Sequence, residues 1–230
     1  MVAVIIATER ELKALREVLT EEKVETGAAG RVFYRGKCGR NEVVVTRSGC
    51  CKVNAAICAQ QMIDAYHPTA VINAGAAGAL APDLKLLEIV IARDLMQHDI
   101  DTSLFGDPLG WIDGIPTTEI PADEGVVSAI AASCEASGLA YREGRILTGD
   151  QFISTESRKA WLAETFSGDC VEMEGAAIAQ TCYLNGVPFG VIRAISDGAD
   201  DGDAPVTYEE FALRAARNAA AVVSNLPELA

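Results

Sequence analysis

Two acids stand two positions apart in the stretch Val171-Glu172-Met173-Glu174-Gly175-Ala176-Ala177-Ile178. Apolar and small residues border them. Ionised carboxylates in such surroundings lose water, and only a partner or a ligand offsets that loss. In a strand end, alternation sets Glu172 and Glu174 on one side and Met173 on the other. In a helix that begins at Met173 the two acids separate. A plainer role is also open, that of acids at a helix N-terminus favoured by its dipole.

Glu11 poses a similar choice. Residues 2–7 form a continuous apolar run of strand length, as in a strand covered on both faces. Thr8 then offers an N-cap with Glu11 three residues on, the capping-box spacing, and Leu12, Leu15 and Leu19 keep a helical period. Glu11 therefore caps its helix, points from a strand end into a ligand crevice, or does both.

The elements that must position these acids follow in order. Residues 31–38 and 42–47 alternate as a hairpin around Gly39-Arg40-Asn41, and residues 52–66 read as a helix ended by His67-Pro68. Residues 70–74 are a buried strand running into a loop of small residues, 75–80, whose backbone can approach a ligand. That loop lacks the third glycine of a dinucleotide site and the lysine of a P-loop. Residues 88–93 are strand. Residues 94–114 are irregular and carry aromatic and polar groups, as in a loop that covers a site or meets a second subunit. Within them His98 reads as a hydrogen-bonded structural histidine. A helix at 124–137, a strand at 145–148, a turn at 149–153 and a helix at 155–166 lead to the paired acids. The helix beyond them stops at Asn185-Gly186, residues 188–195 form the last buried strand, and residues 208–226 the closing helix. This interleaving predicts an α/β fold, with a mixed central sheet flanked by helices. The polar candidates fall at strand ends: Glu11, Ala76 to Gly78, Phe152, Glu172 to Glu174, and Asp197.

Composition bounds the partners. The 230 residues hold 33 acids against 19 bases, a formal charge of −14, which argues against nucleic acid and suits a small neutral or weakly cationic ligand. The seven cysteines lack C-x-x-C spacing and mostly sit in apolar runs, as buried hydrophobes of a reduced, cytoplasmic protein; zinc is not expected. The acidic loop after Ser196 lacks the EF-hand order, so no metal is expected there. The first apolar run reads as a strand rather than a signal peptide, and no segment has the length of a membrane span.

Six segments, in this order, resemble the nucleoside phosphorylase/nucleosidase superfamily: Ile5-Ile6 leading to Glu11, Ser48-Gly49 before Lys52-Val53, Asn73-Ala74-Gly75-Ala76-Ala77-Gly78, Thr148-Gly149-Asp150-Gln151-Phe152-Ile153, Val171-Glu172-Met173-Glu174, and Arg193-Ala194-Ile195-Ser196-Asp197-Gly198-Ala199-Asp200. The resemblance implies one domain over residues 1–230, with a three-layer, partly barrel-like sheet. Its hydrolytic members cleave the N-glycosidic bond of 5′-methylthioadenosine and S-adenosylhomocysteine without metal, cofactor or phosphate. Such cleavage builds positive charge on the sugar and negative charge on the base. By resemblance, Asp197 protonates or hydrogen-bonds adenine N7, Glu174 binds the ribose hydroxyls with Met173 along the sugar, and Glu11 activates water with Arg193 nearby. Phe152 stacks on adenine, the Ile153 backbone meets its edge, and Cys50, Phe105 and Tyr208 form an apolar 5′ pocket. Ala76, Gly78, Glu172 and Ser196 complete the binding residues. A homodimer is implied, with the partner's loop 105–116 closing the site.

Where the phosphorylases hold phosphate with Gly-Asp-Pro, this chain has Thr8-Glu9-Arg10-Glu11, which repels phosphate and suits water. It departs from the hydrolase pattern at Ala76, where serine is usual, and at Cys50, where an aliphatic residue is usual. The alternatives are a 6-amino-6-deoxyfutalosine hydrolase, a phosphate-dependent purine nucleoside phosphorylase, and a nucleoside-binding sensor without turnover, this last supported only by Ala76.

Overall fold

The computed structural model describes residues 1–197 and 205–229, with side chains throughout except at 197 and 205–209. Its strands are β1 (Val2–Ile6), β2 (Thr20–Thr26), β3 (Val32–Cys38), β4 (Asn41–Arg47), β5 (Ala70–Ala79), β6 (Ile89–Gln97), β7 (Ile120–Pro121), β8 (Tyr141–Thr148), β9 (Cys170–Glu172) and β10 (Phe189–Asp197). The helices are α1 (Glu9–Arg16), α2 (Lys52–Tyr66), α3 (Glu124–Ala136), α4 (Glu156–Phe166), α5 (Gly175–Asn185) and α6 (Pro205–Ser224). The expected mixed α/β architecture is present.

All the strands join one sheet in the order β10-β6-β8-β9-β5-β1-β4-β3-β2, with β7 beside β6. β10 also pairs with β5, so β5, β10, β6, β8 and β9 close into a five-membered ring, the barrel-like part of the sheet. Strand β5 makes this closure possible. Its first residues pair with β1, its last two with β9, and nearly its whole length with β10. The small-residue segment expected as a loop is thus the second half of a strand. Alanine and glycine there let neighbouring backbones and side chains come close on both sides. At Gly75 an added Cβ would lie 2.7 Å from Glu11 Oε1 and 3.4 Å from Arg193 Nη1, so only glycine lets both groups approach.

Other boundaries also move. Residues 94–97 extend β6 instead of opening the irregular loop, held by parallel pairing with β8. The hairpin of β3 and β4 forms as expected but gains an outer strand, β2, whose residues are mostly exposed. With few buried residues, β2 carries no alternation from which it could be read. The core lies between the sheet and the helices, and fully buried Ile5, Ile72, Ile89, Ile91, Ile130 and Met62 belong to it. Five cysteines are buried as expected, whereas Cys50 is exposed and Cys51 half-buried, because both sit in the turn ahead of α2. Among the described residues no helix is long and apolar enough to cross a membrane, and no cluster of three or more His, Cys, Asp or Glu could hold a metal ion.

Candidate active site

A cavity of ≈ 190 Å³ opens where the β1–α1 junction, the turn before α2, the second half of β5, the loop after β8 and the ends of β9 and β10 meet. A liquid water occupies about 30 Å³, so this is a small-molecule cleft and not a water slot. Ala7, Thr8 and Glu11 line it from the β1–α1 junction, Cys50 from the turn before α2, and Ala76 to Gly78 from β5. Gln151, Phe152 and Ile153 contribute from the loop after β8, Val171 to Glu174 from β9 and its end, and Ser196 from β10.

Glu11 plays both of its expected parts. Thr8 Oγ1 accepts from the Glu11 amide at 3.3 Å, while Glu11 Oε2 accepts from the Thr8 amide at 2.8 Å, completing the capping box. The same Oε2 accepts from the Ala7 amide at 3.1 Å. The other oxygen, Oε1, accepts from the Ala76 amide at 3.2 Å across the cleft wall. The cap thus holds the carboxylate at the pocket rather than away from it.

The paired acids separate in role because β9 ends at Glu172 and α5 begins at Gly175, with Glu174 as its N-cap. Glu172 is turned inward. It accepts from the Glu174 amide at 2.9 Å, from the Gly175 amide at 2.8 and 2.9 Å, from Thr148 Oγ1, and from Arg193 Nε at 3.2 Å and Nη2. Burial opposes its ionisation, but the charge and hydrogen bonds of Arg193, with the other donors, hold its pKa below the usual carboxylate range. Arg193 is 1% exposed, also donates to Asn73 Oδ1 and to the Ile192 carbonyl at 3.1 Å, and lies beneath the cleft instead of lining it.

Glu174 faces the cavity, and among the described residues its carboxylate has one hydrogen bond, from the Cys51 amide to Oε1 at 2.9 Å. It is 7% exposed. Burial, with the charge of Glu172 beside it, pushes its pKa up to about 7, against the pull of Arg193 and the Cys51 amide. The pKa values of two neighbouring glutamates therefore shift in opposite directions.

Cys50, Ala76, Gly78, Phe152, Ile153, Met173 and Ser196 line the cleft, with Ile153 buried and Phe152 65% exposed. Phe105 does not line it; with Leu104 it projects from the loop after β6, 82% and 91% exposed. Asp197 closes β10, paired in register with Gly78 of the cleft wall, but its side chain and that of Tyr208 lie outside the described ones, as does the acidic loop after Asp197. His98 is buried, yet neither ring nitrogen has a hydrogen-bond partner among the described residues, contrary to expectation. Its ring packs against Gly149, where an added Cβ would stand 2.3 Å from Nε2, and burial lowers its pKa.

The expectations missed the supports. Asn73 holds Arg193 and donates to the Ile5 carbonyl at 2.9 Å; Thr148 holds Glu172 and accepts from the Ala176 amide at 2.8 Å. Both are polar residues at the ends of apolar runs, the one signal the sequence offers for them. Ala7, Thr8, Ala77, Gln151 and Val171 of the lining adjoin residues already singled out.

A sequence profile of the phosphorylase superfamily matches residues 1–226. The 5′-methylthioadenosine/S-adenosylhomocysteine nucleosidase of an Exiguobacterium species is 41% identical over 96% of this chain and 95% of its own length. The Neisseria meningitidis nucleosidase of the same name, solved with methylthio-immucillin-A, superposes with a TM-score of 0.91 at 35% identity, covering 97% of this chain and 96% of that one. The futalosine hydrolase of Helicobacter pylori superposes with a TM-score of 0.90 at 31% identity, over 97% and 95%. With a match that runs nearly end to end, this chain belongs to the phosphorylase superfamily, in its 5′-methylthioadenosine/S-adenosylhomocysteine nucleosidase branch.

Proposed function

We propose that this protein hydrolyses the N-glycosidic bond of 5′-methylthioadenosine and S-adenosylhomocysteine, releasing adenine and the 5-thio-ribose, as a cytoplasmic homodimer. The observation that carries the reading is the convergence of Glu11 and Glu174 on one cleft beside the end of β10.

In this reading water approaches C1′ of the ribose as the bond to adenine N9 breaks. Glu11 takes the water proton, its Oε1 being positioned by the Ala76 amide. Glu174 accepts from ribose hydroxyls and opposes the positive charge that grows on the sugar. Resting near neutrality at the midpoint of its titration, it gains ionised character when those donors and that charge arrive. The bonding electrons pass to adenine, where Asp197 supplies a proton at N7, so the base leaves neutral. Phe152 stacks on the base, the Ile153 backbone meets its edge, and Met173 packs along the sugar. Glu172, whose oxygens are engaged by Arg193, Thr148 and two amides, positions the wall instead of meeting the substrate. No residue of the cleft's described lining is a lysine or an arginine, which favours water over phosphate as the acceptor. The apolar 5′ pocket is completed by Cys50, by Tyr208 and by Phe105 of a second copy.

The test is adenine release in phosphate-free buffer from 5′-methylthioadenosine, S-adenosylhomocysteine and 6-amino-6-deoxyfutalosine. Turnover of the two thio-nucleosides without phosphate is expected. Preference for the futalosine compound would move the protein to the second hydrolase, whose fold it shares. A phosphate requirement would make it a phosphorylase, and tight binding without product a sensor.

A further inference from the structure

Cys51, just ahead of α2, has φ 76° and ψ 162°. Glycine alone adopts that region freely, and a side chain there strains the backbone. The thiol is in no disulfide, and the charges of Asp150 and Glu174 beside it disfavour its ionisation, so it supplies no attraction that would offset the strain. The strained residue is the one whose amide holds Glu174 Oε1. The next amide, of Lys52, donates to Asp150 Oδ1 at 2.8 Å. Asp99 then ties both together, accepting from the Asp150 amide at 2.9 Å and from Lys52 Nζ at 2.6 Å. Two successive amides therefore bind the sugar-side acid to the loop of Phe152 and Ile153. Such over-determination is what lets a strained residue persist.

We propose that Cys51 is a positioning residue for Glu174: by carrying a side chain where the backbone suits glycine, it loosens the amide's hold on the carboxylate, and glycine at this position tightens it. The proposal rests on Glu174 being the sugar-side acid. The ionisable groups facing that carboxylate are Glu172 from β9, Arg193 from β10, Glu11 from α1 and the Cys50 and Cys51 thiols from the turn. The Cys51 thiol is lost in glycine and valine alike, so its loss cannot account for opposite shifts in the two variants. An amide donating to a carboxylate favours its charged form, so a tighter bond lets Glu174 ionise at lower pH.

The experiment compares the parent with Cys51→Gly and Cys51→Val. One readout is the pH profile of kcat/KM for 5′-methylthioadenosine; the other is the change in urea midpoint between pH 5.5 and 8. Cys51→Gly is expected to raise Tm by about 2–6 °C, strain relief less the entropy of glycine. It moves the acid limb of the profile down by roughly half a pH unit and flattens the pH dependence of stability. Cys51→Val, with a β-branched side chain, shifts all three the other way. A limb and a stability slope indifferent to residue 51 would overturn the proposal, even if Tm followed the strain. If the parent releases no adenine, the hydrolase reading fails, while the stability slope still decides whether residue 51 governs Glu174. If the valine variant does not fold, the glycine variant alone decides.

Discussion

The backbone of Glu174 stabilises the charge on the side chain of Glu172: the Glu174 amide donates to Glu172 Oε2 at 2.9 Å. One residue thereby helps keep its neighbour ionised while its own carboxyl is pushed up to about 7. The folded protein binds the Glu174 proton more tightly than the unfolded chain does. The stability this confers is complete below about pH 4.5 and is lost as pH rises through about 7. A shift of that size corresponds to roughly 3 kcal/mol for a buried group. Urea unfolding at pH 5 and pH 8 should register the loss, and Glu174→Gln should flatten the difference. An unchanged slope in that variant would show that another group is responsible.

The buried pair of Arg193 and Glu172 is a different kind of prediction. Replacing Arg193 with methionine leaves a desolvated carboxylate without its cation, at a cost of about 3–5 kcal/mol. Tm should fall by roughly 10 °C. A loss of only a degree or two would mean that Thr148 and the two amides suffice to hold Glu172.

Glu11→Gln separates capping from chemistry. Glutamine keeps one oxygen for the capping box but sets its NH2 against the Ala76 amide, so the expected stability loss is about 1–3 kcal/mol. It cannot accept the water proton, so adenine release should drop by about 10²–10⁴-fold. Retention of the parent rate would remove Glu11 from the mechanism.

Asp197→Asn should lower turnover by a similar ~10²–10⁴-fold, because the amide cannot pass a proton to the base. Equilibrium dialysis with 5′-methylthioadenosine should show binding retained. Undiminished turnover would transfer the acid's role elsewhere.

Leu104 and Phe105, the two most exposed large apolar side chains described, carry the dimer prediction. The double substitution Leu104→Glu with Phe105→Glu should give a monomer by light scattering, with KM raised several-fold by loss of the 5′ wall. A fully active monomer would contradict the shared site.

Local pattern decided much of this molecule. The continuous apolar run of β1, the Thr8–Glu11 spacing, the hairpin of β3 and β4 and the αL stop at Gly186 are short-range consequences of residue type, and each was legible without coordinates. So was the fall of Glu172 and Asp197 at the ends of β9 and β10. The sequence could not apportion the two acids of the 172–174 stretch, because both are equally desolvated by composition. Only the arrival of Arg193 from β10 and Thr148 from β8 makes one a buried anion and leaves the other facing the cleft. Nor could it distinguish loop from strand at residues 75–79, where small residues permit either and the pairing with β10 and β9 chooses. The unfavourable φ of Cys51 is likewise a property of the assembled turn: nothing in a Cys-Cys-Lys tripeptide requires it, and the bonds that enforce it come from residues about 50 to 120 positions away.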